Sequence, residues 1–288
     1  MDSTRDGAPA ALAAPLDAAH AAADAAAAVT LAGFRADLPV DDKGAGRGDG
    51  TGGGGVFDPV TRADREAEAV IRAALAERCP DVGFVGEESA GGAGAGERGA
   101  SGAAAGRRWI VDPIDGTRAY IAGIPVWGTL VALADGAEPV LGLMDQPWLG
   151  ERFVGHPDGA VLHDRHGTRP LRARTGRRLG AAVLCATSPE MFPAADRAAF
   201  DRVAADALTV RWGTDCYGYA MLAAGHVDAV VEAGLSAWDV AALVPVVRGA
   251  GGVVTDWRGG PPLGASAVVA AGSAALHAEV LARLDAAR

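Results

Sequence analysis

The chain is poor in cysteine and in aromatic residues, and it has no long unbroken apolar run. Its three cysteines lie far apart in 288 residues and form no CxxC pair, which argues against a disulfide framework or a structural zinc site. We expect buried free thiols, as in a protein of the reducing cytoplasm. No apolar run reaches the roughly 20 residues of a membrane-spanning helix, so we expect no membrane partner.

Basic residues are scarce relative to acidic ones. The 26 lysines and arginines are outnumbered by 36 aspartates and glutamates, which gives a formal net charge of −10. A nucleic-acid-binding surface needs a basic face, so we expect no nucleic-acid partner. The six histidines are scattered, and we expect structural or solvated roles for them rather than metal ligation.

The N-terminal residues 1–29 are rich in alanine but also carry several aspartates. A secretory signal begins with a basic region and has a stronger apolar stretch. Alanine is the best helix former, so this stretch predicts an ordinary helix.

Two glycine-rich stretches, 44–55 and 90–106, interrupt the sequence. Neither contains the GxGxxG or GxxxxGK[ST] pattern of a phosphate-binding loop. Glycine at this density costs much ordering entropy, so we interpret both stretches as mobile insertions.

The remaining sequence changes character near residue 180. Residues 59–79 have apolar side chains at helical spacing, with Thr61 and Asp64 placed as an N-terminal capping pair. Apolar runs separated by turn residues follow, including a predicted hairpin around Asp135-Gly136. We predict helices plus a mainly antiparallel sheet for residues 1–180. Strands and helices then alternate, which favours an α/β layer in residues 181–288.

Acidic residues stand where predicted strands end or helices begin. Glu87 follows one apolar strand, Asp112 and Asp115 follow another, Asp64 lies in the first turn of a helix, and Asp239 opens a further helix that we predict to run to the glycines at its end. A single acid in such a place is usually a turn or cap residue. Carboxylates brought together from separate segments repel each other unless a cation lies between them, and Mg²⁺ prefers oxygen ligands.

The string DPIDGT at 112–117 is the most specific of these features. Its two acids flank Ile114, whose backbone carbonyl is a further oxygen ligand. Gly116 and Thr117 offer backbone N–H groups where a helix can begin, an arrangement that suits an anion. The string therefore predicts a joint metal and phosphate site.

Three ordered strings resemble the signature motifs of the inositol monophosphatase superfamily. They are GEES at 86–89, WIVDPIDGT at 109–117 and WDVAALVPVVRGAGG at 238–252. Their order and separation match, and the similarity extends from about residue 15 over nearly the whole chain. The resemblance implies a layered αβαβα fold, a Mg²⁺-dependent and lithium-sensitive phosphomonoesterase, and a homodimer.

Further strings resemble the histidinol-phosphate phosphatases of the inositol monophosphatase type. They are DPVTRADREAE, DPIDGTRAYIAGIPVWGTLVAL, PVLGLMDQP and GTDCYGYAMLAAGHVDAVVEAGL. This resemblance implies hydrolysis of L-histidinol phosphate to L-histidinol and phosphate, a step of histidine biosynthesis. The glycine-rich insertions depart from the pattern, and the first leaves open whether Lys43 is the family's lysine beside the site.

The resemblance also implies residue roles. Glu87, Asp112, the Ile114 carbonyl and Asp115 would hold one Mg²⁺, Asp112, Asp115 and Asp239 a second, and Glu87 and Asp64 a weaker third. Asp64 and Thr117 would orient the attacking water, and the N–H groups of Gly116 and Thr117 would bind the phosphate. Most ligands thus fall in residues 1–180, whereas Asp239 and the substrate pocket fall in 181–288, within one compact catalytic unit.

Substrate choice depends on the pocket for the alcohol. Glu232 matches the family's substrate-binding glutamate, and Asp215 lies nearby in GTDCYGY. Two acids there suit the ammonium and imidazole of histidinol, whereas inositol offers only hydroxyls. Asp215 could instead be a helix cap, and Arg118 is a further candidate for the pocket.

Two alternatives remain open from the sequence. The same chemistry could act on inositol 1-phosphate or another small phosphate ester, since metals and fold would be identical. A catalytically silent relative could sense a phosphate ligand, but loss of a metal-binding acid would mark it, and none is missing.

Overall fold

The computed structural model describes residues 5–37, 39–42, 59–90 and 106–285. Lys43, the stretch 44–55 and most of the stretch 90–106 lie outside these residues, so the predictions made for them are not tested. Within the described residues, no helix is both long and apolar enough to cross a membrane.

The first half consists of helices and a seven-stranded sheet. Its helices are α1 (Ala13–Gly33), α2 (Arg62–Arg78), α3 (Glu87–Ala90) and α4 (Thr117–Ile121). Its strands are β1 (Val40–Asp42), β2 (Pro59–Thr61), β3 (Gly83–Gly86), β4 (Arg107–Asp115), β5 (Gly128–Asp135), β6 (Glu138–Gln146), β7 (Glu151–His156), β8 (Gly159–Asp164) and β9 (Gly167–Pro170). Strands β3 to β9 lie side by side in sequence order, and only the β3–β4 pair is parallel. The hairpin predicted around Asp135-Gly136 is present as β5 and β6.

The second half contains a five-stranded mixed sheet. Its strands are β10 (Val183–Ala186), β11 (Thr209–Trp212), β12 (Ala229–Ala233), β13 (Val253–Asp256) and β14 (Ala267–Ala271). Its helices are α5 (Ala194–Asp206), α6 (Asp215–Ala223), α7 (Ala237–Ala241), α8 (Leu243–Gly249) and α9 (Ala274–Asp285). The strand order is β11-β10-β12-β14-β13, with β10 parallel to both of its neighbours.

Helices and sheets stack in five layers. α1 and α2 cover one face of the seven-stranded sheet, α6, α7 and α8 lie between the two sheets, and α5 and α9 cover the outer face of the five-stranded sheet. Strand β5 is apolar on both of its faces, which is why helices cover both sides of this sheet. Leu130 and Ala132 face the middle helices, whereas Val131 and Leu133 face α1. The predicted αβαβα fold is confirmed.

The helix predicted to start at Asp239 is divided in two. α7 begins at Ala237, and the chain turns at Ala242 before α8. Pro245 explains the break, since it has no N–H to donate to the Ala241 carbonyl and its ring crowds that carbonyl. Asp239 therefore lies in the first turn of a short helix that precedes the longer one.

Two glycines let these middle helices lie directly on the seven-stranded sheet. A Cβ on Gly142 in β6 would lie 2.0 Å from the carbonyl oxygen of Ala242, and one on Gly155 in β7 would lie 2.4 Å from the carbonyl of Pro245. These distances leave no room for a side chain, so the glycines set how closely the helix pair that carries Asp239 approaches the sheet.

We expect Gly142→Ala to lower the free energy of unfolding by about 3 kcal/mol, the upper range for overpacking a core. The matched control is Gly180→Ala, where the nearest atom to the new Cβ is 3.9 Å away. Urea unfolding of both variants checks this. Equal stability of the two variants would show that the helix pair does not depend on Gly142.

Candidate active site

The two acids of DPIDGT meet through an irregularity in β4. In a regular strand, residues three apart point to opposite faces. The register between β4 and β5 shifts between Asp112 and Asp115. Pro113 lies at this shift, and it has no N–H to donate to a regular ladder of strand hydrogen bonds. One carboxylate oxygen of Asp112, one of Asp115 and one of Asp239 consequently lie within 4.8 Å of one another.

A tight turn follows directly. Gly116 has φ +82 and precedes α4, and a Cβ there would lie 3.1 Å from the side chain of Asp215. Glycine is therefore required both by the left-handed backbone and by the close approach of Asp215. The Asp112 side chain accepts the N–H of Ile114 at 3.0 Å, which fixes the turn from its other end.

Asp64 is shared between a helix cap and the site. Its Oδ2 accepts the backbone N–H of Thr61 at 2.8 Å and the Thr61 hydroxyl at 2.6 Å, so the predicted capping pair is confirmed. Its Oδ1 lies 3.3 Å from the hydroxyl of Thr117, which is also 3.0 Å from the Ile114 carbonyl. The structure thus brings Asp64 and Thr117 together beside the DPIDGT turn.

Asp239 also combines capping with the site. Its Oδ2 accepts the backbone N–H of Ser236 at 2.7 Å, within a capping box at the start of α7. The same side chain joins Asp112 and Asp115 in the three-carboxylate group. Asp115 is held from the second half of the chain as well, since its Oδ2 accepts the N–H of Cys216 at 2.7 Å.

Glu87 reaches this group from the start of α3. It contributes to the raised pKa of Asp112 both by its charge and by a side-chain hydrogen bond. The helix α3 is held in place by Glu68, a buried residue of α2 that accepts the N–H groups of Glu88 at 2.7 Å and Ser89 at 3.1 Å.

The electrostatics of the group favour a cation. Burial, followed by the charges of Glu87, Asp115 and Asp239, raises the pKa of Asp112 well above its ordinary value. Burial and the charges of Asp215 and Asp239 do the same for Asp115, against hydrogen bonds from Cys216. Carboxylates that penalise each other's ionisation in this way are stabilised by a divalent cation. An all-oxygen donor set made of carboxylates, of which that of Asp112 is buried, fits Mg²⁺.

The acids predicted for the alcohol pocket lie next to this group. Asp215 is the first residue of α6, with φ +45, while Thr214 occupies the N-cap position, so Asp215 is not the helix cap. Burial and the charge of Glu232 raise the pKa of Asp215 to about 7, and Arg118 opposes this rise. Glu232 and Arg118 are therefore each close enough to Asp215 for their charges to act on it.

Sequence reasoning missed three residues that support the site: Thr187, Tyr219 and Glu68. The hydroxyl of Tyr219 donates to Oε2 of Glu232 at 3.0 Å, and the hydroxyl of Thr187 donates to Oε1. Tyr219 and Glu68 each stand four residues after a predicted site acid on the same helix, a spacing that puts them on one face. That spacing could have identified them, whereas Thr187 depends on strand pairing.

A second group of metal-binding residue types lies near the N-terminus. Ligand atoms of Asp6, His20 and His163 lie within 4.8 Å of one another. However, Nη1 of Arg152 is 3.1 Å from Nδ1 of His20, and a guanidinium can only donate. The ring proton of His20 must then be on Nε2, 2.9 Å from Asp6, which leaves no lone pair for a metal. We interpret this group as a structural contact that holds the segment around Asp6 against His20 and His163.

Comparisons with known proteins place the chain in a family. The model of the inositol monophosphatase family matches residues 13–287. A histidinol-phosphatase of Streptomyces coelicolor is 37% identical over 284 residues, covering 93% of this chain and 95% of that protein. A chloroplastic bifunctional phosphatase of Arabidopsis thaliana is 37% identical over 238 residues, covering 80% of this chain and 66% of that protein.

A solved structure of an inositol monophosphatase from Zymomonas mobilis is 36% identical with a TM-score of 0.80, covering 96% of this chain and 100% of that one. The chain therefore belongs to the inositol monophosphatase family, whose members are metal-dependent phosphatases of small phosphate esters.

Proposed function

We propose that the protein hydrolyses L-histidinol phosphate to L-histidinol and phosphate with Mg²⁺ as its metal. The observation that carries the choice of substrate is the pairing of Asp215 with Glu232, since the charge of Glu232 raises the pKa of Asp215. A cationic alcohol would relieve this repulsion, whereas a neutral polyol would not. The relative from Streptomyces coelicolor is a histidinol-phosphatase, which supports the same choice.

The metal would be held by the three-carboxylate group of Asp112, Asp115 and Asp239, together with Glu87 and the Ile114 carbonyl. Two or three Mg²⁺ ions, when bound, would neutralise charge on the phosphate and lower the pKa of water. Glu87 and Asp64 are the proposed ligands of the weaker third ion.

Asp64 and Thr117 would orient the attacking water. Oδ2 of Asp64 is engaged by Thr61, so Oδ1 is the atom that faces the Thr117 hydroxyl. When the Thr117 hydroxyl donates its hydrogen bond to Oδ1 of Asp64, its oxygen is free to accept a hydrogen bond from the water. The N–H groups of Gly116 and Thr117 would bind the phosphate. The water would lose a proton as its oxygen bonds to phosphorus. The bond from phosphorus to the alcohol oxygen would break, and the departing alkoxide would take up a proton to give the alcohol.

The second candidate is an inositol 1-phosphate phosphatase. The similarity to the inositol monophosphatase of Zymomonas mobilis supports it, at 36% identity over 96% of this chain. It requires the same carboxylates and the same water, and only the group that contacts Asp215 and Glu232 would differ.

We also propose from the family resemblance that the protein is a cytoplasmic homodimer. Light scattering of the purified protein tests the oligomeric state.

Phosphate release from L-histidinol phosphate, with Mg²⁺ and with EDTA, tests the proposal. We expect turnover with Mg²⁺ and its loss with EDTA, restored by added Mg²⁺. Binding of L-histidinol phosphate without turnover under any metal condition would contradict the proposal and support a phosphate-ligand sensor.

A further inference from the structure

Glu232 is held on both of its carboxylate oxygens by hydroxyl groups. Tyr219 donates to Oε2 at 3.0 Å and Thr187 donates to Oε1. Both Tyr219 and Glu232 are buried, at 2% and 4% exposure, so water cannot easily replace either bond. The backbone N–H of Thr187 adds a third hydrogen bond to this carboxylate. A carboxylate has about four lone-pair sites, so one remains for another donor.

The fold brings these three residues together from separate elements. Thr187 follows β10 and Glu232 lies near the end of β12, and these strands are parallel neighbours. Their carboxyl ends therefore meet at one edge of the sheet, where ligands bind in sheets of this kind. Tyr219 lies one helical turn after Asp215 on α6, so the same helix presents one pocket acid and orients the other.

Hydrogen bonds from neutral donors favour the charged form of a carboxylate. The hydrogen bonds from Thr187 and Tyr219 lower the pKa of Glu232, opposing the rise that burial causes. A carboxylate held in its charged form accepts hydrogen bonds from hydroxyl groups too. It binds a charged donor such as an ammonium or a protonated imidazole more strongly, because hydrogen bonds between charged groups are stronger than those to neutral donors.

We propose that Tyr219 and Thr187 are positioning residues that fix the Glu232 carboxylate as an acceptor for the cationic part of the alcohol, and thereby set the preference for an amino-alcohol phosphate over a polyol phosphate. This inference rests on the proposed function. The two residues act through Glu232 and do not touch the reacting phosphate.

The test compares Tyr219→Phe with Tyr217→Phe. Tyr217 is on the same helix and donates to Glu151 at 2.6 Å, so its variant loses the same kind of hydrogen bond outside the pocket. For Tyr219→Phe we expect KM for L-histidinol phosphate to rise about tenfold, the effect of one hydrogen bond to a charged group, with kcat within about threefold. Hydrolysis of p-nitrophenyl phosphate by Tyr219→Phe should not change. Tyr217→Phe should leave the kinetic constants for both substrates unchanged.

Thr187 provides a second pair of variants. Thr187→Val removes the hydroxyl and should raise KM as Tyr219→Phe does, whereas Thr187→Ser keeps it and should restore the original value. The inference would be overturned if Tyr219→Phe lost activity equally on all substrates, or if its KM for L-histidinol phosphate did not change. It would also be overturned if Thr187→Ser failed to restore the original KM.

Calorimetry with L-histidinol separates this inference from the proposed function. We expect the metal-free protein to bind L-histidinol, and Tyr219→Phe to bind it about tenfold more weakly. Binding that weakens in this way without hydrolysis of the phosphate would refute the proposed function and leave the inference standing. Normal hydrolysis with equal L-histidinol affinity in both proteins would refute the inference alone.

Discussion

Asp239→Asn should lower kcat for phosphate release about a thousandfold. Its carboxylate is one of three, of which Asp112 is buried and the other two are half-buried, that each place an oxygen within 4.8 Å of the others. Loss of one charged metal ligand removes several kcal/mol of transition-state stabilisation, and about 4 kcal/mol corresponds to that factor. Asparagine can still accept the N–H of Ser236 through its side-chain oxygen, so the cap of α7 is retained.

The same variant should gain stability when metal is absent. Without a cation, the charge of Asp239 raises the pKa of both Asp112 and Asp115, and a neutral side chain at position 239 removes that repulsion. We expect a higher Tm than the unmodified protein in EDTA, and a smaller rise in Tm when Mg²⁺ is added. A variant that loses Tm in EDTA, or keeps full activity, would contradict the metal-site assignment.

Asp201→Asn is the matched control for this experiment. Asp201 is an exposed acid of α5 whose carboxylate pairs with Arg197 at 2.8 Å. Exposed pairs contribute about 0–1 kcal/mol, so this variant should leave kcat unchanged and shift Tm little. Any effect of Mg²⁺ on its Tm should equal that on the unmodified protein.

Asp215→Asn should lower kcat/KM for L-histidinol phosphate by about 10- to 100-fold, the range for a hydrogen bond to a charged group. Asparagine tolerates the left-handed backbone at this position, where φ is +45. The substitution therefore tests charge without adding strain. Activity on inositol 1-phosphate should stay the same, because its alcohol carries no cationic group with which Asp215 could pair.

The ratio of kcat/KM for L-histidinol phosphate to kcat/KM for inositol 1-phosphate separates an effect on the alcohol pocket from an effect on the metal site. Because Asp215 contributes to the raised pKa of Asp115, its neutralisation could also alter the metal site, but such a change would affect both substrates equally. An unchanged kcat/KM for L-histidinol phosphate would show that Asp215 does not recognise the alcohol. An equal loss on both substrates would assign Asp215 to the metal site instead.

Local patterns in the sequence predicted much of the secondary structure. Helical spacing and the capping pair located α2 and its start at Thr61, and the two apolar runs around Asp135-Gly136 located the β5–β6 hairpin. The order of the five layers did not follow from periodicity. It came from the resemblance of three motifs to a known family, because local pattern does not determine which sheet face a distant helix covers.

The site was only partly accessible from the sequence. Asp112 and Asp115 were recognisable because acids, turn and glycine occur in one short string. The break at Ala242 was missed because Pro245 disrupts a helix whose apolar pattern continues through it. Tyr219 was missed because a tyrosine within an apolar helix is normally a core residue, and its role follows from its distance to Glu232.

The most direct test of the account is the ratio of kcat/KM for L-histidinol phosphate to that for inositol 1-phosphate, measured with saturating Mg²⁺ on the unmodified protein. We predict that the ratio favours L-histidinol phosphate by about 100-fold or more, since two acids of the pocket would each bind a cationic group. A ratio near or below one would contradict the assignment of Asp215 and Glu232 to a cationic alcohol, while the metal site would remain as described.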